Sequence, residues 1–142
     1  YIEEDDFLGV QNYSRSLFGK DGRMAPPEGA ELAQMDYEIY PEALEHVIRK
    51  VAEKFKGDLI VTENGLAAAD DTRRVAFIGQ ALQGVRNCIE DGLPVKGYCY
   101  WSLLDNFEWQ KGYSMTFGLI AVDRSTQKRM PKESLSYLGS WR

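Results

Sequence analysis

Short apolar segments alternate with longer amphipathic segments along this chain, and this alternation constrains the fold more than any other feature. Residues 7–12, 59–62 and 95–103 have the length and apolar character of strands. A helix-length segment separates each strand from the next, so neighbouring strands are predicted to run parallel. Strands that are apolar almost throughout predict a sheet covered on both faces. The chain is therefore predicted to be an α/β protein.

Two amphipathic helices are predicted in the connections. The first has Pro41 in its first turn, ends near Gly57, and carries apolar residues at helical spacing, namely Leu44, Val47, Ile48, Val51 and Phe55. The second spans residues 71–90 and is ended by Asp91 and Gly92. Its predicted apolar face comprises Val75, Ile78, Leu82, Val85 and Ile89. The polar, glycine- and proline-containing stretch after the first strand is predicted to be a long functional loop.

Composition and charge exclude several classes of function. The net charge is −5, and no run of basic residues is interleaved with aromatics, which argues against a nucleic-acid partner. No stretch approaches the roughly 18 apolar residues of a membrane span, and no signal peptide is evident. Two cysteines, Cys88 and Cys99, are too few for a disulfide framework or a metal site, and we predict that both are reduced core residues. A cytoplasmic protein without metal or cofactor is therefore expected.

The beginning of the chain predicts a longer parent protein. Tyr1 is not an initiator residue, and only about six residues precede the first predicted strand. We therefore expect this chain to be a piece of something larger.

The unusual residues of the chain follow the predicted strands, where loops of a parallel sheet converge on a ligand. Gln11, Asn12 and Tyr13 end the first strand; Glu63 and Asn64 end the second; Trp101 and residues 105–109 end the third. Each has a plainer interpretation: Glu63 in a surface turn, Trp101 in the core, Tyr13 at a sheet edge. Three strand ends of this kind together favour a ligand site.

The motifs at these strand ends resemble those of glycoside hydrolase family 1, the retaining β-glucosidase family. The matching segments are Asp-Phe-Leu-Gly-Val-Gln-Asn-Tyr at 6–13, Thr-Glu-Asn-Gly at 62–65, and Gly-Tyr-Cys-Tyr-Trp-Ser-Leu-Leu-Asp-Asn-Phe-Glu-Trp at 97–109. Similarity continues through Gly112-Tyr113, Phe117-Gly118-Leu119, Val122-Asp123 and Pro131-Lys132. The resemblance thus covers nearly the whole chain.

The resemblance implies a (β/α)8 barrel of which residues 1–142 are the C-terminal part. That part comprises barrel strands 6 to 8, a closing hairpin and the last helix. The first five strands, here termed the front part, are missing from this chain. In the family they carry the general acid, a Glu in a Thr-x-Asn-Glu-Pro segment, and no such segment occurs in these 142 residues.

The resemblance also implies roles for individual residues. Glu63 is the expected nucleophile, and Tyr13 is the expected donor that orients it. The expected sugar contacts are made by Gln11, Trp101, Glu108, Trp109 and Phe117, although core packing is an equal alternative for Phe117. Gln11 replaces the more common family Asn. Asn64 either helps to orient Glu63 or makes the turn after the strand, and the turn is the favoured alternative. Pairing Glu63 with Glu108 as the two catalytic carboxylates is a disfavoured alternative, because the family residue matching Glu108 binds sugar hydroxyls.

The implied function is hydrolysis of terminal non-reducing β-D-glucosyl residues through a covalent glycosyl-enzyme intermediate. An ionised Glu108 would repel a phosphorylated sugar, which favours a neutral β-glucoside or short β-linked oligosaccharide. Alone, the chain is expected to be almost inactive without the front part. The alternatives are a non-catalytic sugar-binding protein on the same barrel, β-galactosidase or β-fucosidase specificity, and a split product with no function of its own.

Overall fold

A computed structural model describes residues 4–141 and contains one three-stranded sheet, two small hairpins and three helices. In chain order the elements are β1 (Phe7–Gln11), β2 (Phe18–Gly19), β3 (Gly22–Arg23), α1 (Ala43–Ala52), β4 (Asp58–Asn64), α2 (Asp71–Glu90), β5 (Val95–Tyr100), β6 (Ile120–Val122), β7 (Arg129–Pro131) and α3 (Glu133–Ser140). The sheet has the order β1-β4-β5, and both strand pairs are parallel. The two predicted strand–helix–strand crossovers are therefore confirmed.

The helices cover one face of this sheet. Leu59 and Val61 of β4 are fully buried and pack in one core with Leu44 and Ile48 of α1 and Phe77 of α2. The side chains of a strand alternate between its two faces. The alternate positions of the sheet therefore point away from the helices.

The second face of the sheet is open within the described residues, which corrects the prediction that both faces are covered. Phe7 is 49% exposed, and Cys99 is exposed although we predicted it to be buried. The neighbours of Cys99, Tyr98 and Tyr100, pack against the helix-side core, so Cys99 falls on the open side by alternation. Cys88, on α2, is buried as predicted.

The helix boundaries are only partly as predicted. Helix α2 spans the predicted residues because Asp70 caps its first turn, accepting from Thr72 N at 2.9 Å, and Gly92 ends it with φ +82°. Helix α1 ends earlier than predicted, at Ala52, and Phe55 is buried from the turn that follows. Ile89 is 51% exposed, which corrects its predicted place on the apolar face.

The buried face of α2 is wider than one stripe because the helix packs on two sides. Helix α1 contacts one side, and α3 contacts the other. The buried positions are Arg74, Phe77, Ile78, Ala81, Leu82, Gly84, Val85 and Cys88. None of the helices in residues 4–141 is long and apolar enough to cross a membrane.

The long loop after β1 and the third strand also differ in detail from the prediction. The loop contains the exposed hairpin β2–β3, which has no apolar alternation to predict it. Strand β5 ends at Tyr100 rather than near residue 103. The chain then continues through a cis peptide bond between Trp101 and Ser102.

A partly buried carboxylate, that of Asp71, joins the start of α2 to the start of α3. Asp71 accepts hydrogen bonds from Ser134 N at 2.9 Å and Ser134 Oγ at 2.8 Å, and it is paired with the fully buried Arg74. Desolvation acts to raise the pKa of Asp71, but the bonds from Ser134 and Arg74 outweigh it and lower the pKa.

Asp71→Asn is expected to lower the free energy of unfolding at neutral pH by about 1.5–3 kcal/mol, since it removes hydrogen bonds to a charged group. A depressed folded-state pKa stabilises the fold above the ordinary aspartate pKa, about 3.9, and this contribution is lost as pH falls through the folded value. Urea unfolding at neutral and acidic pH should therefore show a difference that shrinks on acidification. A difference independent of pH would contradict this account.

Candidate active site

Glu63 lies at the centre of the site because of an irregularity in the pairing of β1 with β4. Val10 pairs with Val61, but the register then shifts, and Gln11 pairs with Glu63 rather than Thr62. The next backbone contact, from Asn12 N to Glu63 O at 3.0 Å, continues this register. A bulge of this kind redirects a side chain, and here it brings Gln11 beside Glu63.

Each oxygen of the Glu63 carboxylate accepts a hydrogen bond. Gln11 Nε2 donates to Oε1 at 3.1 Å, and Tyr13 Oη donates to Oε2 at 2.6 Å. Burial, followed by the hydrogen bond to Glu63, raises the pKa of Tyr13 well above its ordinary value, so Tyr13 stays a neutral donor. The two donors leave the carboxylate little rotational freedom.

The Glu63 carboxylate opens into a cleft of about 470 Å³. The lining residues are Tyr13, Met35, Tyr37, Glu63, Trp101, Glu108, Trp109 and Phe117. Six of the seven residues predicted for the site therefore meet in one cleft, and the seventh, Gln11, reaches it through its bond to Glu63. Apolar surfaces with a few convergent polar groups are typical of small-ligand sites.

The two tryptophans of the cleft, Trp101 and Trp109, differ in how they are held. Trp101 directly follows β5, and its backbone N donates to Asn64 O at 2.8 Å, which fixes it next to the Glu63 strand. Trp109 is 84% exposed, and it begins a short 3₁₀ turn, Trp109–Lys111. The preceding residue, Glu108, is held by a backbone hydrogen bond to Gly112 O at 2.7 Å.

Phe117 belongs both to the cleft wall and to the packing beneath it. It is 5% exposed, and its ring meets the Tyr13 ring edge-on with centroids 6.1 Å apart. Such contacts contribute about 0.5–1.5 kcal/mol beyond area burial. Phe117 therefore supports the tyrosine that bonds Glu63.

An ion pair anchors the segment that carries Glu108 and Trp109. Lys132 Nζ donates to both Asp105 oxygens at 3.2 Å and to Gly118 O at 2.6 Å, and Gly118 N donates to Asp105 Oδ1 at 2.7 Å. Burial lowers the pKa of Lys132, although Asp105 acts in the opposite direction. Both ends of the segment are thereby fixed to the start of α3.

Two further residues, Met35 and Tyr37, line the cleft and were not predicted from the sequence. Both lie in the long loop, which an isolated bridge between Leu32 and Glu38 folds back on itself. Tyr37 is partly buried, and its hydroxyl has no hydrogen-bond partner among the described residues. Burial raises the pKa of Tyr37. The signal in the sequence is a pair of tyrosines, Tyr37 and Tyr40, within a loop that was predicted as polar.

Asn64 does not make a turn, and that prediction is wrong. It is the last residue of β4, it is fully buried, and its side chain bonds both neighbouring strands. A buried amide must have partners, and here they are the backbone oxygen of Asn12, just after β1, and the hydroxyl of Tyr98 in β5.

Comparison with known proteins identifies the family. Residues 5–141 match the model described as Glycosyl hydrolase family 1. The chain belongs to glycosyl hydrolase family 1. Its α/β architecture is that of part of the family's barrel, of which it forms a C-terminal portion.

Individual members of glycosyl hydrolase family 1 agree with this assignment. The apo structure of a β-glucosidase, beta-glucosidase 1317, is 54% identical to this chain, with a TM-score of 0.91 over 94% of this chain and 33% of its own. A β-glucosidase from Thermotoga maritima in complex with glucoimidazole is 36% identical, with a TM-score of 0.89 over 97% of this chain and 34% of its own. A bifunctional β-D-glucosidase/β-D-fucosidase from Bifidobacterium breve is 32% identical over 93% of this chain and 36% of its own. The chain thus spans about a third of the length of these relatives.

Proposed function

We propose that this chain is the nucleophile-bearing part of a retaining β-glycosidase that removes terminal non-reducing β-D-glucosyl residues. The observation that carries the proposal is the geometry of Glu63, whose oxygens accept from Gln11 and Tyr13 at the floor of an aromatic cleft. A nucleophilic carboxylate must be held in a fixed orientation, and hydrogen bonds from two donors to its two oxygens provide this.

The proposed reaction has two displacements. An oxygen of Glu63 attacks C1 of the sugar, and the bond from C1 to the leaving oxygen breaks with its electron pair on that oxygen, which takes a proton from a general acid. Water, deprotonated by the same group, then attacks C1 and releases Glu63. The front part of the barrel supplies this acid, from about 5–5.5 Å away in retaining enzymes.

The cleft residues are proposed to hold the sugar. Trp101 offers a flat apolar face to the C–H surface of the ring, and Trp109 offers an indole N–H to a hydroxyl. Glu108 accepts hydrogen bonds from hydroxyls and repels phosphate, so the glycone is neutral. Gln11 uses its amide N–H on Glu63, which leaves its amide oxygen for a hydroxyl of the sugar.

The partner required by this proposal is the front part of the barrel, in the same chain or as a separate one. We assign residues 1–142 to strands 6 to 8, the closing hairpin and the last helix. The open face of the sheet, which carries Phe7 and Cys99, supports this assignment, because barrel strands bury their inner side chains against one another. Two cysteines without a disulfide are consistent with a cytoplasmic location.

A sugar-binding protein without hydrolysis is the second candidate. A binder needs Trp101 and Glu108, but it does not need a carboxylate held by two donors on the same cleft floor. Specificity for β-galactosides or β-fucosides is the third, and the bifunctional relative makes fucosides worth including in every assay.

The proposal is tested by combining the purified chain with a separately expressed front part and adding a 2-fluoro glucoside with a good leaving group. The expected result is one covalent sugar per chain, located on Glu63 by peptide mapping, together with turnover of an aryl β-glucoside. The front part alone is the control. Reversible sugar binding without labelling would support the sugar-binding alternative instead.

Tyr13→Phe is expected to lower kcat/KM of the combined barrel for an aryl β-glucoside by roughly 10- to 100-fold. A hydrogen bond to a charged group contributes about 1.5–3 kcal/mol. Lost from the transition state, this free energy corresponds to a fall in rate of roughly 10- to 100-fold. Tyr137→Phe on α3, away from the cleft, is the matched control and should leave kcat/KM unchanged. Equal rates for the two variants would show that Tyr13 does not orient the carboxylate.

A further inference from the structure

The side chain of Asn64 joins the three strands directly behind Glu63. Successive side chains of a strand point to opposite faces, so Glu63 faces the cleft while Asn64 faces the interior, where it is fully buried. Its Nδ2 donates to Asn12 O at 2.7 Å, and its Oδ1 accepts from Tyr98 Oη at 2.7 Å. Asn12 O can only accept, and this fixes the orientation of the amide.

The hydrogen bond from Asn64 to Asn12 affects the site because the residues before and after Asn12 contact Glu63. Asn12 is held from two directions, by its own N donating to Glu63 O at 3.0 Å and by Asn64 Nδ2 on its carbonyl. Gln11 and Tyr13, its immediate neighbours, are the two donors to the Glu63 carboxylate. The position of Asn12 therefore determines where both donors lie.

Neither of the two side chains closest to asparagine in size and shape, aspartate and leucine, meets both requirements of this site. The contact with Asn12 needs a donor, and the contact with Tyr98 needs an acceptor. Aspartate would place an acceptor against the Asn12 carbonyl, and leucine would leave both partners without a bond at a cost of about 1–3 kcal/mol each.

We propose that Asn64 is a positioning residue for the reaction: through Asn12 it holds Gln11 and Tyr13 on the two oxygens of Glu63, and Tyr98 holds the Asn64 amide in turn. The catalytic consequence rests on the function proposed above, but the positioning itself does not. If Asn64 only held the sheet together, its loss would lower stability without changing the surroundings of Glu63.

The test compares Asn64→Ala with Ser134→Ala in the full chain combined with the front part, with isotope labels in this chain alone. Ser134 is also fully buried and hydrogen-bonded, but it bonds Asp71. In Asn64→Ala we expect faster exchange of the Gln11 side-chain amide protons and a fall in the pKa of Tyr13 toward its ordinary value, because part of its elevation comes from Glu63. Ser134→Ala should change neither quantity.

The milder variant Tyr98→Phe keeps the ring and removes only the hydroxyl, and it should shift both signals in the same direction by a smaller amount. Labelling of Glu63 by the 2-fluoro glucoside is expected to slow roughly tenfold in Asn64→Ala, the loss of about 1.4 kcal/mol. Unchanged Gln11 and Tyr13 signals in a folded Tyr98→Phe or Asn64→Ala protein would overturn the proposal. If the signals shift while even the unmodified combined protein is not labelled, positioning is upheld and the proposed hydrolase function fails.

Discussion

Glu63→Gln in the combined barrel is expected to lower kcat/KM for an aryl β-glucoside by about 10⁴-fold. This is the typical loss of rate when one member of a catalytic group is removed. The amide keeps the size of the side chain and still accepts from Tyr13, but it cannot form the glycosyl ester. The measurement is initial rate against substrate concentration, with labelling by the 2-fluoro glucoside as a second readout. Glu90→Gln, on the exposed end of α2, is the control.

The truncated variant Glu63→Ala adds a test of mechanism. Azide is small enough to occupy the space left by the carboxylate and to attack C1 from the same side, displacing the leaving group with its electron pair. The product is expected to be the α-glycosyl azide, since only one displacement occurs. A β-glycosyl azide, or full activity without azide, would argue against Glu63 as the nucleophile.

Gly65→Ala is expected to lower the free energy of unfolding by about 3 kcal/mol, the upper part of the range for overpacking. A Cβ at Gly65 would lie 1.9 Å from the backbone oxygen of Trp101, and backbone cannot move aside as a flexible side chain can. The clash would also push Trp101 away from Glu63, so activity should fall with stability.

The matched control for Gly65 is Gly139 in α3, where an added Cβ meets nothing within 4 Å. Gly139→Ala should stabilise the chain by about 0.5–1 kcal/mol, because alanine is the better helix former. Urea unfolding of both variants beside the unmodified chain measures the difference. Equal stability for the two alanine variants would mean that the β4 and β5 ends are not as close as the structure describes.

Most of the architecture was predictable from sequence because it follows from local pattern. Helix α2 has a capping aspartate, a glycine stop and twenty residues of periodicity, and its predicted bounds agree with the structure. Helix α1 was predicted too long because Phe55 continues the apolar period although it is buried from a turn. Periodicity records burial, and it does not distinguish a helix from the turn that ends it.

The site was predictable only where it follows a strand. Residues at the ends of β1, β4 and β5 meet because parallel strands finish at one edge of a sheet. Met35 and Tyr37 reach the same cleft from a loop whose path depends on distant contacts, such as Thr116 N donating to Gln34 Oε1 at 3.0 Å. The role of Gln11 depends on a register shift between β1 and β4. The role of Asn64 depends on hydrogen bonds from its side chain to residues of both neighbouring chain segments. Local sequence encodes neither the register shift nor these contacts.

The exposed thiol of Cys99 gives the chain a built-in reporter of assembly. A maleimide should alkylate Cys99 quickly in the isolated chain, while Cys88, on the buried side of α2, reacts only on unfolding. Closing the barrel would shield Cys99 as well, and thiol reactivity would then fall from one fast equivalent to none. Titration of the Cys99 thiol can thus measure the assembly of this chain with the front part of the barrel in the absence of substrate.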